Sequence, residues 1–194
     1  MSLAILFAYL LGSISTAIVI CRLFHLPDPR TMGSRNPGAT NVLRVGGKTP
    51  ALLTLFGDLL KGFIPVYLVK LVNFPPLIIA FVAIAAFIGH LYPVYFRFEG
   101  GKGVATAWGC LLALAWPAGV SWLFVWIAVA LLFRYVSLAS MIATLLAPAY
   151  LWFFKQPFAY ILGFFIVALV MIYRHLENMR RILQGTEKKI SQKR

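Results

Sequence analysis

Residues 32–44 read Met-Gly-Ser-Arg-Asn-Pro-Gly-Ala-Thr-Asn-Val-Leu-Arg. Ser34, Asn36, Thr40 and Asn41 are closely spaced side-chain donors, and Arg35 and Arg44 add fixed positive charge. Gly33 and Gly38 let backbone N–H groups come close to a ligand. Donors of both kinds beside positive charge are what a bound phosphate requires. Gly38-Ala39-Thr40-Asn41 leads into Val42-Leu43-Arg44, which predicts a short helix capped by Thr40 or Asn41. The N-terminus of such a helix offers an anion further N–H groups and a favourable dipole. The alternative is a solvated loop of turn-forming residues, and the density of donors argues against it.

Two more polar clusters stand out. Glu99-Gly100-Gly101-Lys102-Gly103 precedes an apolar run that opens Val104-Ala105-Thr106. Its glycines allow close backbone approach, the following helix presents its N-terminus, and Lys102 supplies a point charge for a phosphate; the competing reading is a flexible turn with one lysine. His175, Asn178 and Arg181 fall at i, i+3 and i+6, which predicts one shared face on a helix continuing from the last apolar run. His175 can donate to a phosphate or accept a proton. The competing reading is a polar helix end at the lipid headgroups, and it is the better one for Arg180 and Arg181. His90 reads as a packing histidine and His25 as an interfacial one. Ser137 and Ser140 either reach a pocket or pack between helices. Gly47-Lys48-Thr49 imitates the end of a nucleotide-binding P-loop, but Val42 stands where that motif needs a glycine.

The elements that must position these residues follow from composition. With 61% hydrophobic and only 12% charged residues and a mean hydropathy of +0.87, the chain is far more apolar than a soluble domain. Its apolar runs are continuous, not alternating, so helices and not barrel strands cross the bilayer. The expected fold is all-α: a single membrane-embedded domain over 1–194, polytopic, with about seven transmembrane helices. The spans are placed at Leu3–Phe24, Ala51–Val72, Pro76–Phe96, Val104–Trp116, Ala118–Phe133, Leu138–Phe154 and Phe158–Tyr173. Trp116-Pro117-Ala118-Gly119 is taken as the stop between the fourth and fifth.

Seven spans with Met1 outside put almost all basic residues on the cytoplasmic side, leaving only Lys61, Lys70 and Lys155 elsewhere among the 18. Much of the +13 net charge, including Lys188, Lys189, Lys193 and Arg194, then serves contact with an anionic leaflet. Nucleic-acid binding is not expected, since no soluble fold presents the charge. Cys21 and Cys110 lie in apolar runs and read as packing residues. Asp28, Asp58, Glu99, Glu177 and Glu187 are scattered and suggest no divalent-metal site, and no cofactor is implied. Asp58 and Lys61, three apart inside the second span, are expected to pair or to face the bundle interior. The N-terminus lacks the pattern of a cleaved signal peptide.

Taken together, Met32–Asn41, Gly57-Asp58 with Lys61-Gly62, Gly89-His90 with Pro93, Gly100-Gly101-Lys102-Gly103, and His175, Asn178 and Arg181 with Gly185-Thr186-Glu187 resemble the bacterial acyl-phosphate:glycerol-3-phosphate acyltransferase (PlsY) family. The resemblance covers essentially the whole chain. It implies acyl transfer from a long-chain acyl phosphate to the sn-1 hydroxyl of glycerol 3-phosphate, giving lysophosphatidic acid and phosphate for phospholipid synthesis. It implies a bacterial inner-membrane location with the site facing the cytoplasm, and it raises the soluble enzyme that makes acyl phosphate as a partner. Ser34, Lys102 and His175 become the expected catalytic residues. Asn36, Gly38, Ala39, Thr40, Asn41, Arg44, Gly100, Gly101, Ser140 and Asn178 become the expected substrate-binding residues.

The first loop suits the acyl phosphate, and Arg44, Lys102, His175 and Asn178 would hold glycerol 3-phosphate and the developing oxyanion. An acyl phosphate has a good leaving group, so a substrate phosphate can take the hydroxyl proton; His175 as base is the competing assignment. Acyltransferases that use thioesters carry His-x-x-x-x-Asp, whereas Arg30, Tyr95 and Arg180 stand five after the three histidines. A small-anion transporter and a non-catalytic lipid-binding scaffold are the other classes. The first would be expected to show an internal repeat with interrupted mid-membrane helices, and none is visible.

Overall fold

The computed structural model describes residues 2–190. Met1, whose side of the membrane was expected to be the outside, and Lys193 and Arg194 of the basic tail lie outside the described residues. Among the described residues every regular element is helical. The chain divides into two compact units, Met1–Leu114 and Ala115–Arg194.

The first unit holds α1 (Ser2–Gly12), α2 (Thr16–Leu23), α3 (Ala39–Gly46), α4 (Lys48–Leu71), α5 (Pro76–Leu91), a 3₁₀ turn at Val94–Phe96, and α6 (Val104–Leu114). The expected first span is broken: α1 and α2 meet at 42°. The cause is local. The Ser13 hydroxyl donates to the Tyr9 carbonyl at 2.8 Å, and Ile14 N–H turns to Leu11 O at 3.2 Å in a tightened turn. Close helix crossings hold the unit together. A Cβ at Gly12 would run into the Ala86 backbone of α5, and one at Gly62 into the Thr106 carbonyl of α6, which is the small-residue packing that lets membrane helices approach. Buried Ala17, Cys21, Val42 and Ala51, with Leu26 against them, tie α2, α3 and α4 together. That cluster anchors both ends of the first polar loop. α6 is shorter than its expected span. Its 11 residues rise only ~16 Å at about 1.5 Å per residue.

The second unit holds α7 (Trp116–Phe133), α8 (Val136–Leu145), α9 (Ala147–Phe153), α10 (Phe158–Arg174) and α11 (Leu176–Leu183). The break expected near Trp116-Pro117 is present: the chain leaves helix at Ala115, and Pro117 lies in the first turn of α7, where proline's missing N–H is tolerated. The expected sixth span divides at Leu146, where Pro148 cannot donate to the Thr144 carbonyl. Val129, Ala130 and Ala139 form the buried contact of α7 with α8. Leu131 and Leu132 are 74% and 76% exposed, apolar surface that only lipid would cover. α4, the stretch Pro76–Phe96, α7 and the stretch Val136–Phe153 are each long and apolar enough to cross a membrane; α1 with α2 and α10 with α11 qualify as bent pairs.

Candidate active site

In the first unit the loop before α3 is folded by one buried side chain. Asn41 donates from Nδ2 to the carbonyls of Pro29 at 2.8 Å and Met32 at 3.0 Å, and its Oδ1 accepts the Ser34 N–H at 2.8 Å. These bonds engage an amide expected to bind substrate, so Asn41 shapes the loop. Gly33 sits at φ 63°, and a Cβ there would strike Asn41 Oδ1, so the tight turn requires glycine. The expected cap is also corrected: Gly38, in extended conformation, caps α3, and neither Thr40 nor Asn41 does, because both already lie in its first turn. The first-turn N–H groups of α3 have no partner within their own helix, which leaves Ala39 and Thr40 as anion donors. Ser34, Thr40 and Arg44 are exposed, while Asn36, Gly38 and Ala39 are half-buried. The array therefore opens outward.

The glycine-rich second loop lies against the first. Gly101 N–H donates to His90 O at 3.2 Å. A Cβ at Gly101 would run into His90 Nε2 and come within 3.0 Å of the Pro37 carbonyl, and one at Gly100 would run into the carbonyls of His90 and Leu91. Half-buried Lys102 follows at once, before α6. An ion-pair bridge secures the two loops. Arg30 grips Asp28, with NH2 to Oδ2 at 2.8 Å and Nε to Oδ1 at 3.1 Å, and its NH1 reaches Glu99 Oε2 at 3.0 Å. The Arg30 hydrogen bond holds the Asp28 carboxyl below its usual range despite partial burial, and the same pairing raises Arg30. A cleft of about 310 Å³ lined by Arg22, Arg30, Tyr95, Phe96, Arg97 and Glu99 adjoins this bridge, and it contains none of the expected site residues. Inside the unit, Lys61 Nζ meets Asp58 Oδ1 at 2.8 Å, the pairing anticipated from their spacing.

In the second unit, His175 sits at a 53° bend between α10 and α11, not on one continuous helix. The bend has a clear origin. His175 Nδ1 takes the Met171 carbonyl at 2.9 Å, the acceptor that its own backbone N–H would use in an unbroken helix. That N–H goes to Ile172 O instead, at 2.9 Å. Because a carbonyl only accepts, Nδ1 carries the proton, which fixes the tautomer and the ring orientation. Asn178 and Arg181 do meet, but through Glu187. Its Oε1 accepts from Asn178 Nδ2 at 2.6 Å and from Ser137 Oγ at 2.7 Å, and its Oε2 accepts from Arg181 Nε at 2.7 Å. Burial alone would raise the Glu187 carboxyl, but these three hydrogen bonds outweigh it and hold the group low. Ser140 is engaged in packing: it donates to Val136 O at 2.8 Å and accepts from Trp126 Nε1 at 3.1 Å. Beyond Glu187 the chain stays tied down. Ile190 N–H donates to Arg134 O at 2.7 Å, Arg134 NH2 returns a bond to Ile190 O at 3.2 Å, and Lys189 lies over the Tyr135 ring. Lys189 therefore does more than contact a leaflet.

Residues 2–185 match the family model described as glycerol-3-phosphate acyltransferase, a match that runs through both units. The glycerol-3-phosphate acyltransferase of Methylococcus capsulatus is 50% identical over 192 residues, covering 99% of this chain and 97% of the relative. That of Proteus mirabilis is 51% identical over 186 residues, covering 96% of this chain and 84% of the relative. The chain belongs to the glycerol-3-phosphate acyltransferase family. Among solved structures, the glycerol 3-phosphate form of PlsY, an integral membrane glycerol 3-phosphate acyltransferase, superposes with a TM-score of 0.93 at 41% identity, over 97% of this chain and 94% of that one. The lysophosphatidic acid form gives 0.89 at 39% identity.

As a member of this family the protein is an integral membrane acyltransferase, and an acyltransferase working on a phosphorylated acceptor needs anion sites. The first unit brings the two loops expected to bind anions, around Gly38–Thr40 and Gly101–Lys102, against each other. Sequence reading missed the organiser of the second unit. Glu187 was counted among scattered acids, and only its place in the Gly185-Thr186-Glu187 stretch pointed to a role. It also missed the contact of Asp58 with His90, whose Nδ1 lies 3.5 Å from Asp58 Oδ1.

Proposed function

We propose that the protein transfers a fatty acyl group from an acyl phosphate to the sn-1 hydroxyl of glycerol 3-phosphate, releasing lysophosphatidic acid and inorganic phosphate. The observation that carries the reading is the close approach of the two polar, glycine-containing loops, Pro37 against Gly101, which supports a site for two phosphates. The reaction brings together two phosphates, one on each substrate. Solved forms of PlsY with glycerol 3-phosphate and with lysophosphatidic acid support the acceptor and the product.

In this reading Ser34, Asn36, Thr40 and the N–H groups at the start of α3 hold the acyl phosphate. Arg44, Lys102, His175 and Asn178 hold glycerol 3-phosphate and the charge that develops on the carbonyl oxygen. The sn-1 oxygen attacks the acyl carbon, a tetrahedral intermediate forms, and the bond from acyl carbon to phosphate oxygen breaks. The hydroxyl proton passes to a phosphate oxygen of the donor as that bond breaks, so a dianionic acyl phosphate releases hydrogen phosphate dianion and a monoanionic one releases dihydrogen phosphate, and no protein base is required. His175 keeps a binding role, consistent with a ring whose orientation is fixed through Nδ1.

The chain works as one membrane-embedded acyltransferase over 1–194, crosses the bacterial inner membrane seven times with α6 as a short crossing, and keeps its N-terminus outside and its site at the cytoplasmic face. The distribution of Lys and Arg supports this orientation. The acyl donor then comes from a soluble enzyme on the same side. The deciding experiment gives purified protein an acyl phosphate with glycerol 3-phosphate and follows phosphate release. Turnover with acyl phosphate and none with acyl-CoA is expected. Comparable turnover with acyl-CoA would overturn the donor assignment.

A further inference from the structure

Beneath the two loops lies a cluster of buried charge that the proposed reaction does not use. Asp58, Lys61 and His90 are 3%, 4% and 7% exposed. Lys61 Nζ donates to the Ile14 carbonyl at 2.7 Å, at the break between α1 and α2, and pairs with Asp58 Oδ1 at 2.8 Å. The same carboxylate oxygen lies 3.5 Å from His90 Nδ1. The opposite edge of the imidazole faces the second loop, since a side chain at Gly101 would collide with Nε2. The His90 main chain holds that loop too, through Gly101 N–H at 3.2 Å. The contacts thus run from the helix break through Lys61, Asp58 and His90 to Gly101 and Pro37. Ionisable groups at membrane depth are costly to bury and are kept where they serve a site, and charges this close in a low-dielectric interior bias one another's placement strongly.

We infer that His90, oriented by Asp58, is a positioning residue for glycerol 3-phosphate. Its ring is the floor on which Gly100 and Gly101 lie, and its height sets where Lys102 meets the substrate phosphate. This rests on the reading of Lys102 given above. Asp58 orients the ring electrostatically from 3.5 Å at Nδ1, and Lys61 holds Asp58 while satisfying the carbonyl exposed by the helix break.

The test is a double-mutant cycle on the full chain in detergent, using acyl phosphate and varying glycerol 3-phosphate, with the folded fraction of each variant measured by thermal melting. Misplacing a binding group by an ångström costs about a hundredfold, so His90→Ala is expected to lower kcat/KM for glycerol 3-phosphate by roughly that factor. In a Lys102→Ala background the same change is expected to leave activity within about twofold of Lys102→Ala alone, because the group it positions is gone. Equal losses in both backgrounds would overturn the inference, as would a drop in melting temperature with kcat and KM unchanged. A Lys102→Ala enzyme with full activity would overturn the role of Lys102 itself, a different result from additivity. If His90→Ala does not fold, His90→Gln, which keeps a polar atom near the Nε2 position, goes through the same cycle under the same criteria.

Discussion

The two units build polar surfaces by different means. The first uses backbone. Glycines at 33, 38, 100 and 101 let the two loops turn tightly and pack against each other, and Asn41 spends its amide holding the first turn. The second uses side chains gathered on one carboxylate, with Glu187 accepting from Ser137, Asn178 and Arg181 at 2.6–2.7 Å. A backbone surface tolerates loss of a neighbouring side chain but not a change of path. A carboxylate hub fails as a whole when its centre is removed. The contrast can be tested by separating activity from stability.

The largest effect is expected from removing charge in the first unit. A hydrogen bond to a charged group contributes about 1.5–3 kcal/mol, and ~1.4 kcal/mol is tenfold. Arg44→Ala or Lys102→Ala should therefore lower kcat/KM by about ten- to a hundredfold, with the melting temperature little changed because neither side chain is buried. A matching fall in stability would erase the contrast.

Glu187→Gln should do the reverse, lowering melting temperature and activity together. Gln presents an NH₂ group to donors and leaves at least one of them unpaired, at about 1–3 kcal/mol. Its pH dependence sharpens the point. Glu187 is held below its ordinary value, so the stability it contributes is present above the unfolded-state value near ~4.3. That stability is lost as pH falls through the lower native value. Melting curves of the parent protein should lose stability in that acid window, and those of Glu187→Gln should lose less of it.

A milder effect is expected at the bend. His175→Asn should raise KM for glycerol 3-phosphate several-fold, by roughly one hydrogen bond, and leave the pH profile of kcat unchanged. A collapse of kcat at unchanged affinity would make His175 the base. The smallest effect belongs to Asp28→Asn. Partly exposed pairs contribute about 0–1 kcal/mol, so activity should fall by no more than about fivefold. A larger loss would mean that the Arg30 bridge to Glu99 governs how the two loops meet.

This division also explains what could be read from the sequence. The apolar runs gave the helices, and Gly, Asn and Ser at short spacing gave the first loop, because backbone turns are encoded locally. The Asp58–Lys61 pair was visible for the same reason. The break at Ser13 was not, since serines inside an apolar run have no local tell, nor was the bend at His175, which arises from a side chain taking the Met171 carbonyl. Asp58 with His90, and Glu187 with Ser137, lie far apart in sequence and meet only after the helices pack. Ser140 could pack or bind, and its contacts with Trp126 and Val136 form only once the helices are in place.

The carboxylate at 187 follows every helix of the described residues in chain order. Ser137, Asn178 and Arg181 are therefore synthesised first, at about 5–20 residues per second, and wait for it; the hub cannot close until residue 187 has been added. A product released after α11 but before Glu187 would carry all these helices and both phosphate loops, yet lack the group that gathers the second unit's polar side chains. Assembly of that surface thus reports that translation has passed residue 187.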